Sequence, residues 1–169
     1  DLPLEEIEKV MNVNFWGVVN MVKAFLPVLV ARPSAAIVNI SSMGAYAPVP
    51  GQSMYGASKA AVALLTQALY AELIDTNVTA SVVYPGAINT SIKLNSGASA
   101  TALTPEEEKE AAAKTTSAED AARVIVETME KGRFRATIGK DAALLDKLAR
   151  LNPKKATEVI AKRMSAHAH

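Results

Sequence analysis

Two short apolar runs, Ala36–Ile40 and Val78–Tyr84, constrain this chain more than any other feature. Both are short and mostly apolar, so each reads as a buried strand. Each follows a long segment whose apolar residues recur at helical spacing. Strands joined through helices in this way form a parallel sheet with crossover connections, the α/β class.

The helical segment before the first strand covers Asp1 to Ala31. Pro3, Glu5, Glu6 and Glu8 suit a helix N-terminus. Ile7, Val10, Val13, Gly17, Met21 and Leu26 mark the apolar face. Asn14 sits on or beside that face, where a buried amide bonding a neighbouring backbone is the ordinary explanation. Phe15 and Trp16 read as core or interface residues. Pro27 is expected to kink or close the helix. The second helix runs from about Tyr55 to Ile74 and carries Ala, Val and Leu on nearly every side. One side meets the sheet, and the other is free for another subunit. A homo-dimer or tetramer through the helices around residues 4–31 and 55–74 is the expectation.

After the second strand comes a Ser, Ala, Gly and Asn loop, Ser91–Ala102, suited to a lid. Thr104-Pro105-Glu106-Glu107 reads as a helix start. Ser117 to Asp120 starts another helix ending near Gly132, and Arg135–Ile138 is a third strand. Leu144–Leu151 and Ala156–Met164 are expected as short helices closing the bottom of the domain. The 169 residues read as one domain.

Net charge is +1, with no basic patch interleaved with aromatics, which argues against a nucleic-acid partner. Cysteine is absent, and the only histidines, His167 and His169, stand in the last three residues. No metal site is expected. The apolar stretches are broken by Asn14, Lys23, Gln67 and Glu72, so no membrane span is expected. No signal-peptide pattern opens the chain, and the cytoplasm is the default location.

The chemistry gathers after the first strand. Ser41 and Ser42 close it, a Gly/Pro loop follows, and Tyr55 and Lys59 open the second helix. Four residues apart, Tyr55 and Lys59 share a helix face. An ammonium beside a phenol favours the phenolate, so the tyrosine pKa is expected to fall towards working pH. The phenol could then exchange a proton with a substrate oxygen, and Ser42 could hold that oxygen. Tyr-x-x-x-Lys alone is a weak motif. Its place beyond a strand end, where ligands bind in open α/β sheets, strengthens it. Gly86, after the second strand, would let a ligand approach the backbone.

Three strands make an awkward complete sheet. The first is apolar, yet nothing earlier in the chain can pair with its other edge. No Gly-x-Gly-x-x-Gly turn is present to cradle a pyrophosphate. An upstream half is therefore expected.

These motifs resemble the second half of a short-chain dehydrogenase/reductase. The resemblance covers nearly the whole chain. It rests on Val13-Asn14-Phe15-Trp16-Gly17, then Val38-Asn39-Ile40-Ser41-Ser42, then Tyr55-Gly56-Ala57-Ser58-Lys59, then Pro85-Gly86-Ala87-Ile88-Asn89-Thr90, in that order. It implies a Rossmann-like, doubly wound parallel sheet of which this chain supplies three strands. It implies a catalytic set of Asn14, Ser42, Tyr55 and Lys59. In that set Tyr55 is the general acid/base, Lys59 bonds the nicotinamide ribose, Ser42 positions the substrate oxygen and Asn14 holds a water in a relay to Lys59. Pro85, Gly86, Ile88 and Thr90 would join Tyr55 and Lys59 in binding the cofactor, NAD or NADP. Asn39 would be structural or line the cofactor cleft. The implied reaction is hydride transfer between NAD(P) and a carbonyl or secondary alcohol. Met43, Ala45, Tyr46, Val49 and Met54 either line an apolar pocket for a hydrophobic alcohol or ketone or pack the loop. An epimerase or dehydratase relative and a non-catalytic scaffold are the alternative readings. Without an upstream half, the isolated chain is expected to bind cofactor poorly.

Overall fold

A computed structural model describes residues 2–89 and 115–165. Thr90, the Ser91–Ala102 loop expected as a lid, the Thr104 helix start and the two histidines lie outside the described residues. The chain opens with α1 (Leu4–Met11), a π-helical turn (Asn12–Trp16) and α2 (Gly17–Val30), which stack end to end as one long helix. Pro27 sits inside α2 without ending it. Then come β1 (Ala35–Ile40), a single 3-10 turn (Met43–Ala45), α3 (Ser53–Glu72) and β2 (Val78–Pro85). A two-residue pair, β3 (Ile88–Asn89) and β4 (Thr116–Ser117), precedes α4 (Ala118–Glu130). The chain continues with β5 (Arg135–Ile138), α5 (Lys140–Leu151) and α6 (Pro153–Ser165).

The main sheet has the order β1-β2-β5 and is parallel throughout. Its register pairs Ile40 with Val83 and Pro85 with Ile138. The C-terminal ends of all three strands therefore emerge on one side. Helices cover both faces, as expected of a doubly wound sheet. On one face Ile37, Val78 and Ala80 meet Leu69 and Leu73 of α3, with Val22, Leu26 and Leu29 of α2 against them. On the other, Val83 and Ile138 pack on Ala121 of α4, joined by Val38 and Ile40. Ser117 caps α4 by accepting the Asp120 N–H at 3.0 Å. Asn77 donates to the carbonyls of Leu29 and Arg32, tying the end of α2 to the start of β2.

The central strand is buried from Ala80 to Tyr84, whereas in β1 only Ile37 is. Among the described residues β1 has one strand neighbour, β2.

Two expectations need correction. The Leu4–Val30 helix is, by length and composition, long and apolar enough to cross a membrane, because Asn14 and Lys23 dilute its apolar character too little. Its place in the fold is on the sheet, through Val22, Leu26 and Leu29. The C-terminal helices do not close the bottom of the domain. Leu145 of α5 and Ile160 of α6 pack with Ala47, Met43, Tyr46 and Val49, at the end where the strands finish. They also start earlier than their apolar patterns begin, α5 at Lys140 beyond Gly139 and α6 at Pro153.

Leu145 is 3% exposed and joins α5 to the serine-bearing loop. Leu145→Ala is expected to destabilise the fold by about 2–5 kcal/mol. Amide exchange in residues 43–49 should accelerate with it. Denaturant melts and exchange read by mass spectrometry check both, and unchanged exchange in that loop would contradict the packing.

Candidate active site

The site is built where β1 ends. Ser41 and Ser42 follow its last residue, and the chain cannot continue as strand because Ser42 caps the 3-10 turn. The Ser42 side chain accepts the Gly44 N–H at 3.1 Å. Ser41, buried, turns the other way and donates to the Lys59 carbonyl at 2.8 Å. Lys59 returns the contact: its Nζ donates to the Ile40 carbonyl at 3.2 Å. Burial lowers the Lys59 pKa from its ordinary value, because a half-buried ammonium loses hydration.

Tyr55 stands one helical turn before Lys59, with Lys59 Nζ 6.0 Å from the ring centroid. It is 38% exposed, and its hydroxyl has no hydrogen-bond partner among the described residues. Gly44 lies between it and Ser42. A Cβ at Gly44 would come within 3.5 Å of Ser42 Oγ and 3.7 Å of Tyr55 Cε1. Gly56 presses on the same turn, since a Cβ there would lie 2.9 Å from the Gly44 carbonyl oxygen. Only glycine at 56 lets α3 approach this closely.

Asn14 reaches the site from the first helix. Its Nδ2 donates to Ser58 Oγ at 3.0 Å, and Ser58 Oγ donates to the Tyr55 carbonyl at 2.7 Å. The hydroxyl proton is committed to that carbonyl, so Asn14 must present its NH₂. Asn14 lies at the centre of the π-helical turn, a local widening often found at functional positions. Asn39 donates to Thr66 Oγ1 at 3.0 Å, so it holds β1 to α3.

The second half of the predicted site is the turn after β2. Pro85 ends the strand, the Gly86 N–H donates to the Ile138 carbonyl at 2.8 Å, and Ile88 begins β3. The space a Cβ would fill at Gly86 is occupied by the Asp141 carboxylate. The structure thus gives Gly86 a reason besides ligand approach. Thr90 lies outside the described residues.

Of the five loop residues considered for an apolar pocket, Met43, Tyr46 and Val49 pack against Leu145 and Ile160. Tyr46 donates its hydroxyl to the Ala142 carbonyl at 2.8 Å. Burial, reinforced by Asp146, raises its pKa well above the usual tyrosine range, which leaves it a neutral structural donor. Gly44, Ser58 and Asp141 were not singled out from the sequence. Ser58 stood inside the Tyr-x-x-x-Lys motif, but Asp141 carries no local signal at all.

Two clefts lie away from Tyr55. One of about 430 Å³ runs along β5 and is lined by Glu127, Arg133, Arg135, Asp146 and Arg150 among others. Its charges are already paired: Arg133 with Glu127, and Arg135 and Arg150 with the buried Asp146. The other, about 240 Å³, lies between α3 and this ion-pair network. No group of metal-ligating side chains occurs among the described residues.

With this geometry in place, the comparisons with known proteins decide the family. The family model for short chain dehydrogenases matches residues 1–101. The chain belongs to the short-chain dehydrogenase family. A Mycobacterium tuberculosis protein named as an oxidoreductase, SadH, is 39% identical over 155 residues, covering 87% of this chain and 55% of that protein. A 3-ketodihydrosphingosine reductase of Bacteroides thetaiotaomicron is 43% identical over 86 residues, 51% of this chain and 32% of its own. The chain thus spans about half the length, or less, of these relatives. The fold is that of solved family members. A Burkholderia cenocepacia short chain dehydrogenase in complex with NADP superposes at TM-score 0.76 with 24% identity, covering 94% of this chain and 60% of that one. One from Sphingobium yanoikuyae in complex with NADPH gives 0.66 at 26%, with 80% and 50% covered. The Rossmann-like class expected from the motifs is therefore the observed one.

Burial of the Lys59 charge makes a pH prediction. Below its lowered pKa Lys59 is charged in both the folded and unfolded chain, and burying that charge opposes folding. Between the lowered value and the ordinary 10.5, the folded chain has released the proton while the unfolded chain still holds it, so stability rises with pH. Relative to Lys59→Met, the wild type should therefore gain stability as pH rises towards 10.5. Thermal melts of both proteins over alkaline pH read this difference, and a pH-independent gap would refute it.

Proposed function

We propose that this chain carries the catalytic half of an NAD(P)-dependent oxidoreductase acting on a carbonyl or secondary alcohol. The observation that supports this most directly is the grouping of Ser42, Tyr55 and Lys59 at one strand end with bonding capacity to spare. Ser42 uses its oxygen as an acceptor towards Gly44, leaving its proton for a ligand. The Tyr55 hydroxyl is unpaired among the described residues, and Lys59 has spent one donor on Ile40. These are the donors that a substrate oxygen and a sugar hydroxyl require, so the residues fit a nicotinamide cofactor.

When bound, that cofactor supplies or accepts the hydride. Tyr55 gives a proton to the oxygen as negative charge develops on it, or takes one in the reverse direction. Ser42 donates a hydrogen bond to the same oxygen and orients it. Lys59, held beside the phenol, sets a positive charge next to the developing negative one and offers its remaining protons to the ribose. Asn14 acts behind this pair, through Ser58 and a water that its free amide oxygen could accept. Pro85, Gly86 and Ile88 lie in the turn that would hold the carboxamide, and Thr90, which the family resemblance adds to them, lies outside the described residues.

The edge of β1 without a strand partner among the described residues, and the lack of a Gly-rich turn in the sequence, support an upstream half that completes the sheet and the phosphate site. By the same reading the isolated 169-residue chain binds NADH and NADPH weakly. Exposed Val13, Trp16, Met21, Phe25 and Leu64 leave apolar faces on the first helix and α3. They favour a homo-dimer or tetramer, and we place the enzyme in the cytoplasm. For substrate, a hydrophobic ketone or alcohol is favoured. Of the two readings open for the loop residues, Met43, Tyr46 and Val49 follow the packing one. Support comes instead from relatives named for a keto-sphingosine and a 1-acyldihydroxyacetone phosphate.

Tyr55→Phe tests the proposal. In the protein at its natural length, turnover, followed as reduced-nicotinamide absorbance with a panel of ketones, should fall by about 10²–10⁴. The circular dichroism spectrum and melting temperature should not move. A wild type that shows no net absorbance change, yet converts substrate, would point to epimerase or dehydratase chemistry. A wild type with no activity that Tyr55→Phe could remove would leave a scaffold.

A further inference from the structure

Asp141 stands two residues past Gly139, whose φ of 95° lets the chain swing from β5 into α5. Its Oδ2 accepts the Ala87 N–H at 3.0 Å. A Cβ at Gly86 or at Gly139 would displace the carboxylate from this place, and the φ of 95° at Gly139 favours glycine by itself. The same short turn is held at two neighbouring points. The Gly86 N–H donates to the Ile138 carbonyl at 2.8 Å, and the Ala87 carbonyl accepts the Thr116 N–H at 3.0 Å. Ala87 itself is exposed, so without Asp141 its N–H has only solvent to bond. The next residue in α5, Ala142, accepts the Tyr46 hydroxyl at 2.8 Å. One turn of one helix therefore grips both the loop that carries Ser42 and the turn that follows β2.

We propose that the first turn of α5 is a strut that fixes the spacing between these two halves of the active site, with Asp141 the positioning residue for the Pro85–Ile88 turn. The inference rests on the reading that this turn holds the nicotinamide end of the cofactor. A backbone segment locked before the ligand arrives does not have to be ordered by it, and affinity rises accordingly. Tyr46 serves the other arm by keeping the Ser42 loop in register with α5.

The test is a titration of NADH and NADPH against the protein at its natural length, with melting temperatures taken in parallel. Asp141→Ala and the milder Asp141→Ser both fall short of Ala87. Each should weaken cofactor binding about tenfold, the equivalent of one lost ordering hydrogen bond. Turnover at saturating cofactor should fall less than affinity does. Asp141→Asn keeps an oxygen in the same place and should restore affinity to within about twofold. Tyr46→Phe should leave cofactor affinity unchanged and lower kcat/KM several-fold. Folded Ala or Ser variants that bind cofactor as the wild type does, whatever their melting temperature, would overturn the role given to Asp141. An unchanged kcat/KM in Tyr46→Phe would overturn the loop arm. A wild type that binds neither nucleotide would overturn the oxidoreductase reading itself, an outcome distinct from a wild type that binds and variants that bind equally well.

Discussion

Lys59 is bonded to the end of β1 from both ends of its own residue. Its ammonium donates to the Ile40 carbonyl, and its main-chain oxygen accepts the Ser41 hydroxyl. This double tie fixes where α3 begins relative to the strand, and the rest of the site follows from it. Tyr55, one turn earlier, is carried to the Gly44 turn, and Ser42 is left facing it across that glycine. The tie has an energetic cost, since it keeps a charged group half-buried and lowers its pKa. A fold under selection for stability alone would do better with an apolar side chain there.

The tie also explains the close contact of α3 with the serine loop. Gly56 and Gly44 touch backbone to backbone, an approach that any Cβ at position 56 would obstruct. The first helix then reaches in through Asn14 and Ser58, so three separate segments converge on Tyr55. The C-terminal helices complete the support from outside, through Leu145 and Ile160 on Ala47. Two tyrosines stand near the same loop, and their environments divide the work. Tyr46 is half-buried, neutral and bonded to backbone, while the Tyr55 hydroxyl is unpaired among the described residues.

The proposed catalytic grouping is local in topology. It needs β1, the loop after it and α3, with one residue from the preceding helix. It therefore assembles on a sheet of three strands whose first edge has no partner among the described residues. Family membership and the likeness to cofactor-bound neighbours concern this same core. Parallel strands buried on both faces call for neighbours on both edges, which is why β1, and not the strand in the middle, is the partly exposed one.

Taken alone, the sequence determined the elements and their kind. Short, mostly apolar runs mark the buried strands, and helical spacing marks the crossovers between them. Gly, Pro and Ser punctuate the strand ends. Ser42, Tyr55 and Lys59 were legible because they sit within one strand–loop–helix unit, where spacing along the chain is already spacing in space. What only the tertiary structure decided lies between units distant in sequence. The C-terminal helices settle against the loop at residues 43–49, because Leu145 and Ile160 bury there and no local pattern says so. Asn14 selects Ser58, 44 residues away, as its partner. Asp141 meets Ala87 across 54 residues. Long-range pairs of this kind depend on register and packing, which a linear pattern does not encode. The membrane-length first helix makes the same point. Its composition alone does not say what it packs on, and only the tertiary structure sets Val22, Leu26 and Leu29 against the sheet.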